Sequence, residues 1–134
     1  MTITTKELRT LEHLHNYAKE VNFDHKQRLA AAIVKKGDII GIGHNKMKTH
    51  PIQRKFAKND EAIYLHAETS AILDAVNRGE NPSGGVMYVI RRMRDESLGL
   101  ARPCSGCMRA LAAYGIDRVV YSNEVGSYSV EIRD

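Results

Sequence analysis

The sequence predicts an α/β protein in which a mixed five-stranded sheet lies between two layers of helices. Apolar patterns of strand and helix period alternate along the 134 residues, and this favours right-handed crossovers with helices on both faces of a sheet. Only twelve residues follow Ser122, too few for a crossover helix, so we expect the last strand to run antiparallel. No repeat or linker divides the sequence, and we expect one domain over residues 1–134.

The N-terminal segment has the pattern of an amphipathic helix. Thr4 and Glu7 have the spacing of a capping box, which satisfies free N–H groups at a helix start. Apolar residues then recur at helical spacing, at Leu8, Leu11, Leu14 and Ala18. We expect this helix to lie across the sheet.

Two strands and a long polar segment follow. The apolar runs 29–34 and 39–42 flank a turn-forming stretch with a glycine at position 37, which predicts a hairpin. From Gly43 to Tyr64 the chain is polar and irregular, and its length is typical of a functional loop.

The second half continues the alternation of helices and strands. A helix is predicted from near His66 to a glycine stop at Gly79, and another from near Pro103 to Gly115. Buried-type strands are predicted at 86–90 and 118–121, and the last strand at 128–132. Between strand and helix lies a basic extension, residues 91–102.

Composition limits the classes of function. The formal charge of +4 favours anionic partners such as nucleotides. No stretch of the sequence has the length and apolarity of a membrane span or signal peptide, so we expect no membrane partner and a cytoplasmic location. In such a compartment, two cysteines three positions apart indicate metal binding or redox chemistry before a structural disulfide.

Two short motifs carry chemistry. His66 and Glu68 open one predicted helix, and Cys104 and Cys107 open another. The imidazole and the two thiols are suitable zinc ligands, and the positive end of a helix dipole stabilises thiolates. Three protein ligands leave a tetrahedral Zn²⁺ with one position for water, which is typical of catalytic sites. Glu68 is placed to accept and return a proton of that water.

These motifs resemble the zinc-dependent cytidine/deoxycytidylate deaminase superfamily, whose signature is H-x-E followed by P-C-x-x-C. The resemblance extends from about Leu29 to Tyr121, and it implies the cytidine-deaminase-like α/β/α sandwich. It also implies that His66, Cys104 and Cys107 bind Zn²⁺ and that Glu68 is the catalytic acid and base. Relatives are usually oligomers, so the resemblance implies a homo-oligomer.

The resemblance also suggests residues that contact the substrate. Asn45 is similar to an asparagine that contacts the sugar or base in many relatives, and backbone amides near Ala67 and Cys104 are placed to steady the tetrahedral intermediate. We add Ser105, which follows the first cysteine, to the substrate contacts. In the basic loop, Lys48 and His50 are candidates for binding a phosphate.

Two features leave the subfamily open. Thirteen residues separate Ile90 from Cys104, whereas many relatives pass more directly from strand to P-C-x-x-C. The antiparallel last strand resembles free cytidine deaminases, while the histidine ligand resembles deoxycytidylate and tRNA-adenosine deaminases. The substrate class is therefore a nucleoside or nucleotide, with nucleic acid as an alternative.

We favour deamination of a cytosine nucleotide, dCMP to dUMP. The first alternative is a deaminase of a base in single-stranded DNA or tRNA, for which residues 46–58 and 91–94 would form a basic channel. The second is a non-enzymatic module with a structural zinc, which needs a fourth ligand such as His44 or His50. A redox Cys-x-x-Cys is the third, but it leaves His66 and Glu68 without a role.

Overall fold

A computed structural model describes residues 3–21, 28–46, 50–56 and 65–132. It contains helices and strands in the predicted alternation. The helices are α1 Thr5–Val21, α2 Pro51–Phe56, α3 Ala67–Asn77 and α4 Ser105–Ala113. The strands are β1 Arg28–Lys35, β2 Asp38–His44, β3 Val86–Arg92, β4 Leu98–Gly99, β5 Arg118–Ser122 and β6 Tyr128–Ile132.

The strands form one mixed sheet in the order β2-β1-β3-β5-β6, with β4 paired to β3. Strands β3 and β5 are parallel and are connected through α4. The other pairs are antiparallel, including β5 with β6. The mixed sheet and the antiparallel last strand are therefore confirmed. The two-residue β4, inside the 91–102 extension, adds a sixth strand that the sequence pattern did not show.

Helices cover both faces of the sheet, as expected for three layers. Alternate residues of β1 pack into the hydrophobic clusters on opposite faces of the sheet. On one face, Ala30 and Ala32 pack with Leu11 and Leu14 of α1. Ala31 and Ile33 pack on the opposite face, in the cluster that contains the buried residues of α3 and α4. Side chains alternate between faces along a strand, so this one segment joins the two halves of the core.

Helix α1 presents a carboxylate to the sheet instead of the expected Leu8. Leu8 is 47% exposed, whereas Glu7 is buried and accepts a hydrogen bond of 2.9 Å from the Tyr88 hydroxyl. The Arg118 guanidinium donates to both Glu7 oxygens at 3.2 Å. The predicted capping box is present, since Glu7 N–H donates to Thr4 Oγ1 at 3.1 Å. The hydrogen bonds from Tyr88 and Arg118 hold α1 in the orientation about its axis that turns Glu7 toward the sheet and Leu8 toward solvent.

Glycines end the two long helices of the second half. Gly79 and Gly115 have φ values of 79° and 75°, the left-handed conformation that glycine adopts without steric cost. Within the polar segment, α2 is a short helix that was not predicted. None of the helices in the described ranges is both long and apolar enough to cross a membrane.

Candidate active site

The start of α3 places one imidazole and one carboxyl group. His66 is the N-cap residue, with extended backbone, and its carbonyl accepts from Ser70 N–H at 3.0 Å and from Thr69 Oγ1 at 3.1 Å. Its side chain makes no capping bond to the helix. Glu68 is the second helical residue and is buried. The helix start therefore leaves the imidazole available for contacts outside α3.

The start of α4 places the two thiols. Cys104 is the N-cap residue, and its Sγ accepts a hydrogen bond from Cys107 N–H at 3.5 Å. Cys107 is completely buried, and both cysteines are free thiols. A sulfur cap leaves the side chain at the positive end of the helix, where a thiolate is stabilised.

The two helix starts meet on one face of the sheet. His66 Nδ1 lies 3.2 Å from Cys107 Sγ and 3.7 Å from Cys104 Sγ, and the ligand atoms of all three residues lie within 4.8 Å of one another. One nitrogen and two sulfur donors suit Zn²⁺, which accepts tetrahedral sites of this kind. The residues present therefore fit a zinc ion.

The fourth protein ligand required by a structural zinc site is absent from the described ranges. The metal-binding group found there contains His66, Cys104 and Cys107 alone. His44 Nδ1 lies 3.0 Å from the Asn45 carbonyl oxygen, and His50 Nδ1 accepts from Ile52 N–H at 3.1 Å. Neither histidine joins the triad, so the described residues provide three ligands and leave one position of a tetrahedral zinc ion open.

Hydrogen bonds within the group of His66, Cys104 and Cys107 shift the pKa values of its members. A hydrogen bond from the Cys107 thiol, with a second from His66, lowers the pKa of Cys104 far below that of an ordinary thiol. Hydrogen bonding to Cys104 raises the pKa of His66, although burial opposes the shift. A metal cation bound by these groups would take the place of the protons in their hydrogen bonds, because cysteine binds metal as the thiolate.

Glu68 is held away from water next to the triad. Burial raises its pKa, opposed by a backbone hydrogen bond and by the charge of His66. A carboxyl group with a raised pKa exchanges protons more readily near neutral pH than an ordinary glutamate.

A cavity of about 330 Å³ opens onto the triad. Its size lies at the lower end of pockets that hold small ligands, which start at roughly 300 Å³. The wall contains the Glu68 carboxyl group and two of the candidate metal ligands, His66 and Cys104, together with basic, amide and apolar side chains. It consists of Leu29, Asn45, Lys46, Leu65, His66, Glu68, Arg91, Leu100, Ala101, Arg102 and Cys104.

Asn45 lies on this wall and is held by β1. Its Oδ1 accepts from Leu29 N–H at 3.2 Å, and its own N–H donates to the Leu29 carbonyl at 3.2 Å. The next residue, Lys46, donates its N–H to the Leu65 carbonyl at 3.0 Å. These bonds hold the end of β2 against the segment that leads into His66.

The other expected substrate contacts lie elsewhere. Ala67 is buried in the first turn of α3 and Ser105 is exposed in the first turn of α4, and neither lines the 330 Å³ cavity. His50 lines a neighbouring cavity of about 350 Å³. Lys48 lies outside the described residues. Segments that are far apart in the sequence form the cavity walls. Proximity to the two motifs in the sequence therefore did not indicate which residues line the cavity.

The extension at 91–102 supplies part of the wall that the motifs did not reveal. Arg91, Leu100, Ala101 and Arg102 all line the cavity. One signal was present in the sequence: a period of two along β3 places Arg91 on the face of Met87 and Val89. That face carries the core shared with α3 and α4.

Comparison with known proteins shows the family to which the chain belongs. The family model for the cytidine and deoxycytidylate deaminase zinc-binding region matches residues 4–123. The chain belongs to this family. It is a zinc-dependent deaminase, and the His66, Cys104 and Cys107 group is its candidate metal site. A search of curated protein sequences found no match for the deaminase.

Solved structures share the fold of the deaminase at low sequence identity. The dCMP deaminase of cyanophage S-TIM5, in complex with dCMP and dUMP, is 20% identical with a TM-score of 0.65, and the match covers 92% of this chain and 85% of that one. A cytidine deaminase from Burkholderia pseudomallei is 19% identical with a TM-score of 0.66, covering 97% and 93%. A structure from work on A-to-I editing at the wobble position of transfer RNA is 19% identical with a TM-score of 0.59, covering 92% and 82%.

Proposed function

We propose that this deaminase hydrolyses the exocyclic amine of a cytosine nucleotide, with dCMP as substrate and dUMP and ammonia as products. The observation that carries this proposal is the buried Glu68 carboxyl beside an open set of three zinc ligands, at the base of a small cavity. A likeness to a solved dCMP deaminase and a cytidine deaminase supports the choice of a cytosine base.

His66, Cys104 and Cys107 would hold the zinc, which when bound supplies a water of lowered pKa at neutral pH. Glu68 takes a proton from the attacking water as its oxygen bonds to C4 of cytosine. Glu68 delivers that proton to N3 of the ring. It then carries the remaining proton of the same oxygen to the exocyclic nitrogen, so that a carbonyl group forms at C4. The C4–N bond breaks, ammonia leaves, and the ring becomes uracil, so one water is consumed for each ammonia released.

Other groups would orient the base. We assign Asn45 to the sugar or base because its side chain lies on the cavity wall and its backbone is held by Leu29. First-turn N–H groups of a helix have no acceptor within the helix, so the N–H groups near Ala67 and Cys104 are proposed oxyanion donors. Lys48, His50 and Ser105 remain assigned to substrate contact on the sequence pattern alone.

Ammonia release tests the proposal directly. Zinc-loaded protein is supplied in parallel with cytidine, deoxycytidine, CMP, dCMP, dCTP, adenosine, guanine and single-stranded oligonucleotides. We expect dCMP to give the highest rate, with dUMP as the product identified by chromatography. If the protein releases ammonia from none of the cytosine nucleosides and nucleotides, the proposal is refuted.

A second candidate is a base in single-stranded DNA or tRNA. The neighbouring 350 Å³ cavity supports it, since this cavity shares Lys46 and Leu65 with the first and is also lined by His44 and His50. A polymer occupying both cavities would bind with steep salt dependence, because each phosphate contact releases counterions. Oligonucleotide binding that is absent or unaffected by salt would argue against this candidate.

We further propose that the protein functions as a single deaminase domain in a cytoplasmic homo-oligomer. Apolar side chains at the β5–β6 end of the sheet support self-association: Val125 is 85% exposed and Ile132 is 52% exposed. Exposed apolar surface beside an edge strand is a common site of subunit contact. The molar mass of the zinc-loaded protein, measured by light scattering, tests this part; the mass of a single chain at micromolar concentration would contradict it.

A further inference from the structure

Two adjacent arginines at the end of β3 have different surroundings. Arg92 faces α1 and is 4% exposed. Its guanidinium donates to the His15 carbonyl at 3.2 Å and to Glu96 at 2.7 Å. Arg91 faces the opposite side of the sheet and lines the cavity above the zinc ligands. The fold thus accounts for the charge of Arg92 but not for that of Arg91.

The Arg91 guanidinium has an unmet hydrogen-bonding capacity. Its Nε is buried and has no hydrogen-bond partner among residues 3–21, 28–46, 50–56 and 65–132. It is also the single buried side-chain nitrogen or oxygen in those ranges with this property. Burying a charged donor without an acceptor is unfavourable, and an anion bound in the cavity would supply the missing acceptor.

The 91–102 extension holds Arg91 in place. Arg91 pairs with Gly99 of β4, and a methyl group on Gly99 would lie 3.1 Å from Arg91 Cδ. Arg91 N–H donates to Ser122 Oγ at 3.0 Å, and the same hydroxyl donates to the Gly99 carbonyl at 2.6 Å. Ser122, which is completely buried, thereby joins β3 and β4 to the end of β5. The stem of Arg91 is therefore confined before any ligand binds.

The other basic residues of the wall do not duplicate this arrangement. Arg102 is half exposed and forms an ion pair with Glu131, which also accepts from the Tyr121 hydroxyl at 3.0 Å. Lys46 provides a compact charge rather than a planar fork. Among the basic residues of this wall, Arg91 combines a confined stem with a buried Nε that has no partner in the described residues. A guanidinium of this kind forms paired hydrogen bonds with phosphate oxygens.

From these observations we infer that Arg91 binds the 5′-phosphate of a nucleoside monophosphate and selects it over the free nucleoside. The inference rests on the proposed cytosine-nucleotide function. The phosphate has an acceptor for Nε and a charge that offsets the guanidinium, while the base reaches Glu68 and the zinc ligands in the same cavity. The 91–102 extension is then a specificity element: it forms the wall that carries the phosphate-binding arginine.

Binding of products tests this inference without turnover. Affinities of zinc-loaded protein for dUMP and deoxyuridine are measured by calorimetry in the wild type, Arg91→Gln and Arg91→Lys. Arg94→Gln is the matched control, because Arg94 is an exposed cation in the same extension. We expect the wild type to prefer dUMP by about tenfold to a hundredfold, the range for charged hydrogen bonds. Arg91→Gln should abolish the preference, Arg91→Lys should retain part of it, and Arg94→Gln should retain all of it.

The outcomes separate this inference from the proposed function. Ammonia release from dCMP together with an unchanged dUMP preference in Arg91→Gln would overturn the role of Arg91 and leave the deaminase activity standing. A dUMP preference lost only in the Arg91 variants, in a protein that releases no ammonia from dCMP, would support the role of Arg91 and refute the proposed reaction.

A wild type that binds dUMP and deoxyuridine equally would overturn the inference. Tighter binding of a dU-containing oligonucleotide than of dUMP would also overturn it, in favour of a polymer phosphate. Thermal melting of each variant excludes loss of folding as the cause.

Discussion

His66 Nδ1 lies 3.2 Å from Cys107 Sγ, although the two residues are 41 positions apart in the chain. The contact joins the N-termini of α3 and α4, which flank the same face of the sheet. Neither helix start holds a metal ion alone, since each offers at most two of the three donors. The candidate zinc site is therefore a product of the packing of α3 against α4.

Loss of either helix's ligand should release the metal. We expect His66→Ala and Cys107→Ser to bind less than a tenth of the zinc retained by the wild type after dialysis against a chelator, because two ligands hold Zn²⁺ far more weakly than three. Metal content by mass spectrometry checks this. His13→Ala is the control, since His13 is exposed on α1. Full retention of zinc in either ligand variant would contradict the assignment.

Replacement of Glu68 should separate zinc binding from catalysis. Glu68→Gln keeps the shape of the side chain but cannot transfer the proton, so kcat should fall by about 10²- to 10⁴-fold while zinc content is unchanged. Glu80→Gln, an exposed change just after α3, should leave kcat as it is. Steady-state ammonia release and metal analysis on the same samples measure both quantities. Wild-type turnover in Glu68→Gln would remove the carboxylate from the mechanism.

The Glu7 carboxylate should stabilise the attachment of α1 to the sheet. Glu7→Gln weakens the bonds from Tyr88 and Arg118, and we expect the free energy of unfolding to drop by about 1–3 kcal/mol. Denaturant titration measures the drop. The exposed Glu20→Gln on the same helix should change it by less than about 0.5 kcal/mol.

The stabilisation by Glu7 should depend on pH in a defined direction. Burial raises the pKa of Glu7, but hydrogen bonds from Thr4, Tyr88 and Arg118 outweigh it, so the folded-state pKa is lowered. A lowered carboxyl pKa stabilises the fold fully above the unfolded value of about 4.3 and less as pH falls through the folded value. The difference in stability between wild type and Glu7→Gln should thus be constant from neutral pH to about pH 5.5 and shrink below about pH 4. A difference that grows in acid would refute this.

Gly43 should be needed for the close approach of β2 to α3. A Cβ at this position would lie 2.6 Å from the Ala71 backbone nitrogen and 2.6 Å from Ser70 Oγ. Backbone cannot yield cheaply, so Gly43→Ala should destabilise the protein by about 1–3 kcal/mol and lower activity by displacing the helix that carries Glu68. Val76→Ala, a partly exposed change on the same helix, is the control. If the free energy of unfolding and the turnover of Gly43→Ala match those of the wild type, α3 can move away from β2 without cost and the prediction is wrong.

Ser122 should be needed to hold the 91–102 extension against β5. Ser122→Ala leaves the Arg91 N–H and the Gly99 carbonyl without their common partner, which should cost about 1–3 kcal/mol. Hydrogen exchange at residues 98–101 should accelerate as well. The exposed Ser127→Ala should do neither. Unchanged exchange in Ser122→Ala would show that β4 is held by other contacts.

Local patterns were sufficient where structure is decided within one turn or one strand. The capping box of Thr4 and Glu7, the stops at Gly79 and Gly115, and the sequence motifs at His66 and Cys104 depend on neighbours three or four residues away. The candidate metal-ligand group of His66, Cys104 and Cys107 was predictable for the same reason, since helix starts and ligand spacing are both local. The mixed sheet followed from the order and length of these segments.

Relationships between distant segments depended on the packed structure. Leu8 matched the apolar period as well as Leu11, but the partners Tyr88 and Arg118 placed Glu7 inward. The two-residue β4 has no apolar pattern of its own and exists because Gly99 pairs with Arg91 and Leu98 pairs with Arg92. The sequence by itself therefore determined the alternation of elements, the helix caps and the candidate metal-ligand set. The tertiary structure decided which polar groups became buried and which arginine faces the cavity, because burial and strand register arise only when distant segments pack together.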